Sequence, residues 1–220
     1  MDVVSVQLRS RREGGRELPL LLWRLPAPMR AIATAPHGGG LGVRRWVVNA
    51  QVPASYARRD PDHHLHRLAV SLGLPGRGVG LLTAADVRHH HHAHDHGVEV
   101  FATVGLGHPI QAAAPHSHAP VELVGTINVV AVLPERLSDA ALVNTVATVT
   151  EAKVQALRDL GHRATGTATD AVVVLCPTEG RAADFGGPRS VWGSRLARAV
   201  YAAVAAAPAA PASAPTGPTR

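Results

Sequence analysis

A chain of 220 residues, 46% of them apolar, is the size of one domain with its own core, and a single cysteine excludes an internal disulfide. The formal charge of +6 rests on 22 basic residues, with Lys153 the sole lysine; the arginines are scattered rather than clustered with stacking aromatics, which speaks against nucleic-acid binding. Leu18 to Leu22 falls far short of the about 20 apolar residues that span a bilayer, and Asp2 directly after Met1 departs from a secretory signal. The expectation is a soluble, cytoplasmic protein without membrane insertion. Aromatics at 3% leave the core to Ala, Val and Leu.

In chain order, the first fifty residues read as strands broken by turns. Leu18–Leu25, Arg30–Ala35 and Trp46–Val52 are apolar runs bounded by Gly14-Gly15, by Pro26 and Pro28, and by the loop His37-Gly38-Gly39-Gly40-Leu41-Gly42. Asp60-Pro61 opens a helix, a cap residue and then Pro, with Leu65, Leu68, Ala69 and Leu72 as its apolar stripe and Gly73 as its end. Gly78–Ala85 and Val98–Leu106 read as buried strands joined by a His-rich loop, 89–96. Glu122–Leu133 reads as a further strand, stopped by Pro134. The longest helix runs from Ser138 to Leu160, with Leu142, Val146, Val149, Leu157 and Leu160 on one face and Asn144, Thr148, Glu151 and Gln155 on a polar face. Val172–Cys176 is a buried strand and Trp192–Ala206 a last helix. Several strands follow one another without a helix between them. The expected fold is therefore α/β of the α+β kind, a mixed sheet layered with helices in one domain, 1–207, with a disordered Pro/Ala-rich tail, 208–220.

Few motifs are sharp. The loop Gly38–Gly42 lacks the Gly-Lys-Ser/Thr ending of a P-loop, and its glycine spacing and following strand do not fit a dinucleotide fingerprint. It stays open between a tight turn and close approach to a bulky ligand. His89, His90, His91, His92, His94 and His96 are good ligand types for zinc, nickel or cobalt. A run of this kind on a mobile loop lacks the fixed geometry of a catalytic metal site, so a loop insertion or metal buffering is the simpler reading. Cys176 ends an apolar strand as a small core residue. More telling are polar residues at strand ends: Asn49 and Gln51, Thr83 and Asp86, Thr126 and Asn128, and the run Thr165-Gly166-Thr167-Ala168-Thr169-Asp170. Each alone is a cap or turn residue. Together they suggest a polar cleft at the ends of several strands.

These residues fall into blocks that resemble the adenosylcobinamide amidohydrolase family. The blocks are Pro36–Gly42, Asn49-Ala50-Gln51-Val52-Pro53, Gly80–Val87, Gly105-Leu106-Gly107, Gly125-Thr126-Ile127-Asn128, Leu142-Val143-Asn144, Thr150-Glu151-Ala152-Lys153 and Ala164–Asp170, in the family's order. The resemblance implies hydrolysis of the amide that joins 1-amino-2-propanol to adenosylcobyric acid, within cobalamin salvage and beside the enzymes of corrinoid uptake and cobalamin assembly. It implies no resident cofactor, since the cobalt belongs to the corrinoid substrate. Gly38, Gly39, Gly40, Asn49, Asn128, Glu151 and Lys153 become candidates for substrate binding. The His run departs from the family pattern and looks like an insertion.

A weaker similarity links Gly125–Val130 and the helix after Ser138 to the ornithine-acetyltransferase and D-aminopeptidase superfamily, which implies an α-β-β-α sandwich and a self-generated nucleophile. On that likeness Thr126 is the nucleophile, Thr167 and Asp170 are its neighbours, and Asn49 or Asn128 donates to the oxyanion. The alternative mechanism is water activated by Asp86, Asp170 or Glu151. A different class of function also stays open, a non-catalytic corrinoid- or metal-binding protein that uses the His-rich loop.

Overall fold

The computed structural model describes residues 4–115 and 125–209. Its first hairpin pairs β1 (Val6–Glu13) with the start of β2 (Arg16–Ala33) through Gly14-Gly15, both at positive φ. The two apolar runs expected at Leu18–Leu25 and Arg30–Ala35 are one 18-residue strand, which is a correction. Pro26 and Pro28 do not end it, because the register shifts between Arg24 and Met29 and the ladder makes no demand on the missing N–H groups there. The half of β2 before this bend pairs with β1, the half after it with β8 (Ala171–Cys176), and β3 (Gly40–Gln51) runs along the other edge.

Two parallel pairs are joined by helices, as parallel pairing requires. β3 leads through α1 (Pro61–Ser71) to β4 (Val79–Thr83), and β7 (Thr126–Val132) through α2 (Asp139–Asp159) to β8 (Ala171–Cys176). β5 (His91–Asp95), β6 (Val98–Gly105) and α3 (Val191–Ala205) complete the chain, and the sheet runs β4-β3-β2-β8-β7-β6-β5 with β1 beside β2. Of the strand expected at Glu122–Leu133, residues 122–124 lie outside the described residues. So does the tail from 210 onward.

The sheet is mixed and curled without closing. One core lies between α1 and the outer face of β2 and β3 (Leu20, Leu22, Trp46, Val48). A second lies inside the curl, where Leu21, Trp23, Val47 and Leu81 meet Phe101, Val130 and Val173. A third packs Ile127, Val129 and Val174 against Leu142, Leu157, Leu196 and Val200 of α2 and α3. The layering is α-β-β-α, made by one continuous sheet. Val, Leu and Ala dominate the cores, as the aromatic-poor composition requires.

Two local readings change. Thr148 was expected on the polar face of α2, yet it is buried and its hydroxyl donates to Gly186 O. Residues 89–96 were expected as an exposed loop, yet His91–Asp95 form edge strand β5, paired along its length with β6. Ala93 packs into the helix-side core and Asp95 is held by Arg198 of α3. His96 and Gly97, both at positive φ, make the tight turn into β6.

Candidate active site

The inward face changes character along each strand. Val130 and Val132 of β7 belong to the inner core, and the same alternation turns Asn128 and Thr126 to that face. β3 repeats this with Val47 and Asn49, β4 with Leu81 and Thr83, and β6 with Phe101 and Thr103. The polar residues of this inner face are at most 2% exposed, so they must satisfy one another or a ligand. Here a cavity of about 450 Å³ opens between the two halves of the sheet. Thr126, Asn128, Thr169 and Asp170 line one wall, while Val52, Pro53, Tyr56 and Arg58 line another.

The nucleophile candidate sits at the start of β7. The Thr126 hydroxyl is 2.8 Å from the Thr169 hydroxyl, which in turn donates to Gly125 O at 3.2 Å. With Thr169 donating to the carbonyl, Thr126 gives its proton to Thr169 and keeps its lone pairs free. Thr167 Oγ1 also lies 2.7 Å from Gly125 O, so that its single proton is shared between that carbonyl and Asp170. Asp170 ties this corner together. Its Oδ1 accepts from Ile127 N at 2.9 Å and from Thr167 Oγ1 at 2.5 Å, while its Oδ2 accepts from Thr167 N at 3.2 Å and from Lys153 Nζ. The Lys153 and Asp170 side chains are only 9% and 14% exposed. Such a pair needs further bonds to offset its desolvation, and Ile127 N, Thr167 N and Thr167 Oγ1 supply them to the Asp170 carboxylate. Gly166 is what lets the pair close, since a Cβ there would stand 2.2 Å from Asp170 Oδ2 and 2.5 Å from Lys153 Nζ. Lys153 therefore holds Asp170 rather than presenting its charge to a substrate. Asp170, with both oxygens engaged, frames Thr126.

The two asparagines form a chain across the curl. Asn49 Nδ2 donates to Thr103 Oγ1 at 3.0 Å, and Asn128 Nδ2 donates to Asn49 Oδ1 and to Leu82 O, both at 2.9 Å. Turning the Asn128 amide over would aim its oxygen at the Leu82 carbonyl, so the orientation is fixed by repulsion. Both N–H groups of Asn128 are engaged, and its Oδ1 has no partner among the described residues. In this arrangement Asn128 offers an acceptor, not the oxyanion donor expected of it.

Other candidates lie elsewhere. Asp86 caps the 3-10 turn Val87–His89, accepting from Arg88 N and pairing with the Arg88 guanidinium at 2.7 Å, which holds its carboxyl below the usual value. It does not line the cavity. Glu151 is exposed on α2 beside Gln155, Arg198 and Tyr201, on the far side of the helix layer. Gly38, Gly39 and Gly40 turn β2 into β3. Gly38 (φ +69) sits where a Cβ would be 2.0 Å from Gly78 O, so the close approach is to this chain's own backbone. His92 bonds Glu99 at 2.5 Å and stacks on Phe101, and His96 bonds Asp95 at 2.7 Å. Among the described residues no group of three or more His, Cys, Asp or Glu is placed to hold a metal ion. Cys176 is fully buried, and burial pushes its thiol up.

Thr83 and Thr169, expected from the sequence only as part of a polar cleft, line the cavity, and so do Tyr56 and Arg58, which the sequence does not single out. Thr169 lies in the same Thr-x-Thr-Asp run that drew attention to Thr167 and Asp170. Tyr56 and Arg58 stand in a Pro-bounded connection whose sequence carries no signal.

A profile of the adenosylcobinamide amidohydrolases matches residues 2–214, nearly the whole chain. The chain belongs to the adenosylcobinamide amidohydrolase family. It is similar to the adenosylcobinamide amidohydrolase of Methanosarcina mazei, 29% identical over 183 residues that cover 79% of this chain and 87% of that protein. It is also similar to the adenosylcobinamide amidohydrolase of Halobacterium salinarum, 32% identical over 190 residues, 82% of this chain and 80% of that protein. Membership in the amidohydrolase family makes the chain a hydrolase of amide bonds. No helix among the described residues is long and apolar enough to cross a membrane.

Proposed function

We propose that this amidohydrolase cleaves the aminopropanol amide of adenosylcobinamide and releases adenosylcobyric acid, which re-enters cobalamin assembly in corrinoid salvage. The observation that carries this reading is the hydroxyl- and carboxamide-lined cavity at the strand ends, in a chain matched to the family over residues 2–214. A cavity of about 450 Å³ suits the slender amide arm, while the broad corrin rests outside on the rim. Its cobalt is part of the substrate, and the hydrolysis is carried by side chains.

Thr126 Oγ1 is the attacking oxygen. It adds to the amide carbon, the C–N bond breaks, and the amine leaves with a proton. Water then takes the acyl group from Thr126 to give the carboxylate. Thr169 holds the Thr126 hydroxyl, and the Asp170–Lys153 pair keeps the loop before β8 in place. The test incubates the purified chain with adenosylcobinamide and a chelator and follows free 1-amino-2-propanol. Release that resists chelation is expected. Corrinoid bound without amine release would leave a binding protein in its place, and loss of activity restored by one specific metal would move the chemistry to a metal site.

A further inference from the structure

Amide hydrolysis needs a group that takes a proton from the attacking oxygen and gives one to the departing nitrogen. The Thr126 corner does not supply it, since Asp170 is engaged on both oxygens. Another part of the cavity lining does. Tyr56 belongs to it, and its hydroxyl is 2.9 Å from His64 Nδ1. His64 Nε2 lies 2.8 Å from Glu13 Oε1, and Glu13 is fixed in turn by Arg11 at 2.9 Å. Three separate elements meet here: β1 brings Glu13, α1 brings His64, and the connection between β3 and α1 brings Tyr56.

The proton positions follow from the chemistry of the groups. A carboxylate only accepts, so His64 carries its proton on Nε2, leaving Nδ1 to accept from the Tyr56 hydroxyl. Burial pushes the Glu13 carboxyl up, but Arg11 and His64 outweigh it and hold the group below its ordinary value. His64 is buried, and its ring stacks on Tyr56, which fixes the geometry. The order is carboxylate, imidazole, hydroxyl, as in hydrolytic triads, with the phenol of a cavity-lining residue at its end.

We propose that Tyr56, His64 and Glu13 form the acid–base relay of the reaction, with Tyr56 the catalytic residue and His64 and Glu13 positioning it. This rests on the amidohydrolase reading above. During attack, the Thr126 proton turns from Thr169 into the cavity and passes through a bridging water to Tyr56 Oη as the Tyr56 proton passes to His64 Nδ1, and Glu13 stabilises the imidazolium. During departure these transfers reverse, and the nitrogen leaves protonated as neutral amine. The second half-reaction repeats the cycle with water attacking and the Thr126 oxygen leaving, so every proton is returned.

The experiment compares wild type with Tyr56→Phe, which keeps the ring and its packing. Two substrates are used: adenosylcobinamide, and the same corrinoid carrying a trifluoroethylamide in place of the aminopropanol amide. The relay predicts that Tyr56→Phe lowers kcat on adenosylcobinamide by at least about 10²-fold at unchanged KM, the usual scale of general acid–base catalysis. On the trifluoroethylamide, whose weakly basic amine needs less protonation, the loss shrinks by at least about tenfold. Glu13→Gln, far from the substrate, is expected to lower kcat by about tenfold or more with KM and Tm unchanged. A Tyr56→Phe rate within about threefold of wild type overturns the relay while the amidohydrolase reading stands. Equal losses on both substrates also overturn it, because a merely structural tyrosine is blind to the leaving group. Wild-type protein that releases amine from neither substrate removes the amidohydrolase reading itself, and the relay with it.

Discussion

The corner where β7 and β8 begin and the edge strand β5 are both rich in polar side chains, and they are built in opposite ways. At the first, Thr126, Thr167, Thr169, Asp170 and Lys153 satisfy one another in a corner where Thr126 is 2% exposed, and the inner face of the sheet passes from Val130 to Asn128 to Thr126 without a break. At the second, His92, His94 and His96 stand exposed, each with at most a local partner, on a strand held by its backbone, by Ala93 and by Asp95 with Arg198. Density of metal-binding side chains in sequence is thus a poor guide to where side chains are held in fixed geometry. A site needs groups fixed by burial and by partners from distant segments, and β7–β8 has both.

The sharpest way to break this comparison is Thr126→Ala. Loss of a covalent nucleophile leaves only binding and oxyanion contributions, so kcat is expected to fall by at least about 10³-fold while the chain stays folded. Turnover measured beside Tm checks it, and a near-normal rate would move the mechanism to activated water. Intact mass of the purified chain tests for cleavage between Gly125 and Thr126.

Lys153→Met comes next. It leaves the Asp170 carboxylate enclosed without its cation, and breaking such a pair costs about 3–5 kcal/mol. Denaturant unfolding should show that loss, with activity lost through misplacement of Thr167 and Thr169. Asp86→Asn sharpens the contrast between a carboxylate in the site and one at a cap. The expected cost is only about 0.5 kcal/mol of stability with turnover intact, since Asn still caps Arg88 N and the ion pair lost is an exposed one outside the cavity.

The smallest effect is expected at β5. Replacing His89, His92, His94 and His96 together by Thr keeps the strand and should leave turnover within about threefold. Exchanging the whole segment for Gly/Ser is a different experiment, because it removes Ala93 and the Asp95–Arg198 link and frees the edge of the sheet. Arg198 holds the Asp95 carboxyl down at about 2. That link therefore stabilises the fold above the ordinary carboxylate range and is lost only as the pH falls toward 2. Hydrogen exchange of β5 amides in Arg198→Ala, faster than wild type at neutral pH, would check the tether.

Periodicity and caps, both local, determined much of this protein from the sequence. Ser138 with its apolar stripe marked α2, whose cap hydroxyl accepts from Ala141 N, and Asp60-Pro61 marked α1, although the Asp60 carboxylate bonds Arg58 and makes no cap bond. Thr126 could be picked out because it opens an otherwise apolar strand, and Thr167 and Asp170 because they lead into another. Tertiary structure alone decided which of these groups meet. Whether β2 was one strand or two depended on β1 and β8 lying along different halves of the same edge. Whether residues 89–96 formed a loop or a strand depended on β6 offering its backbone, since histidine carries no alternation signal of its own. Lys153 became the partner of Asp170 only through the packing of α2 on the sheet. Glu13, Tyr56 and His64 share no motif. They meet because the first hairpin, the β3–α1 connection and α1 converge beside the cavity, and contacts between distant segments leave no period in a sequence.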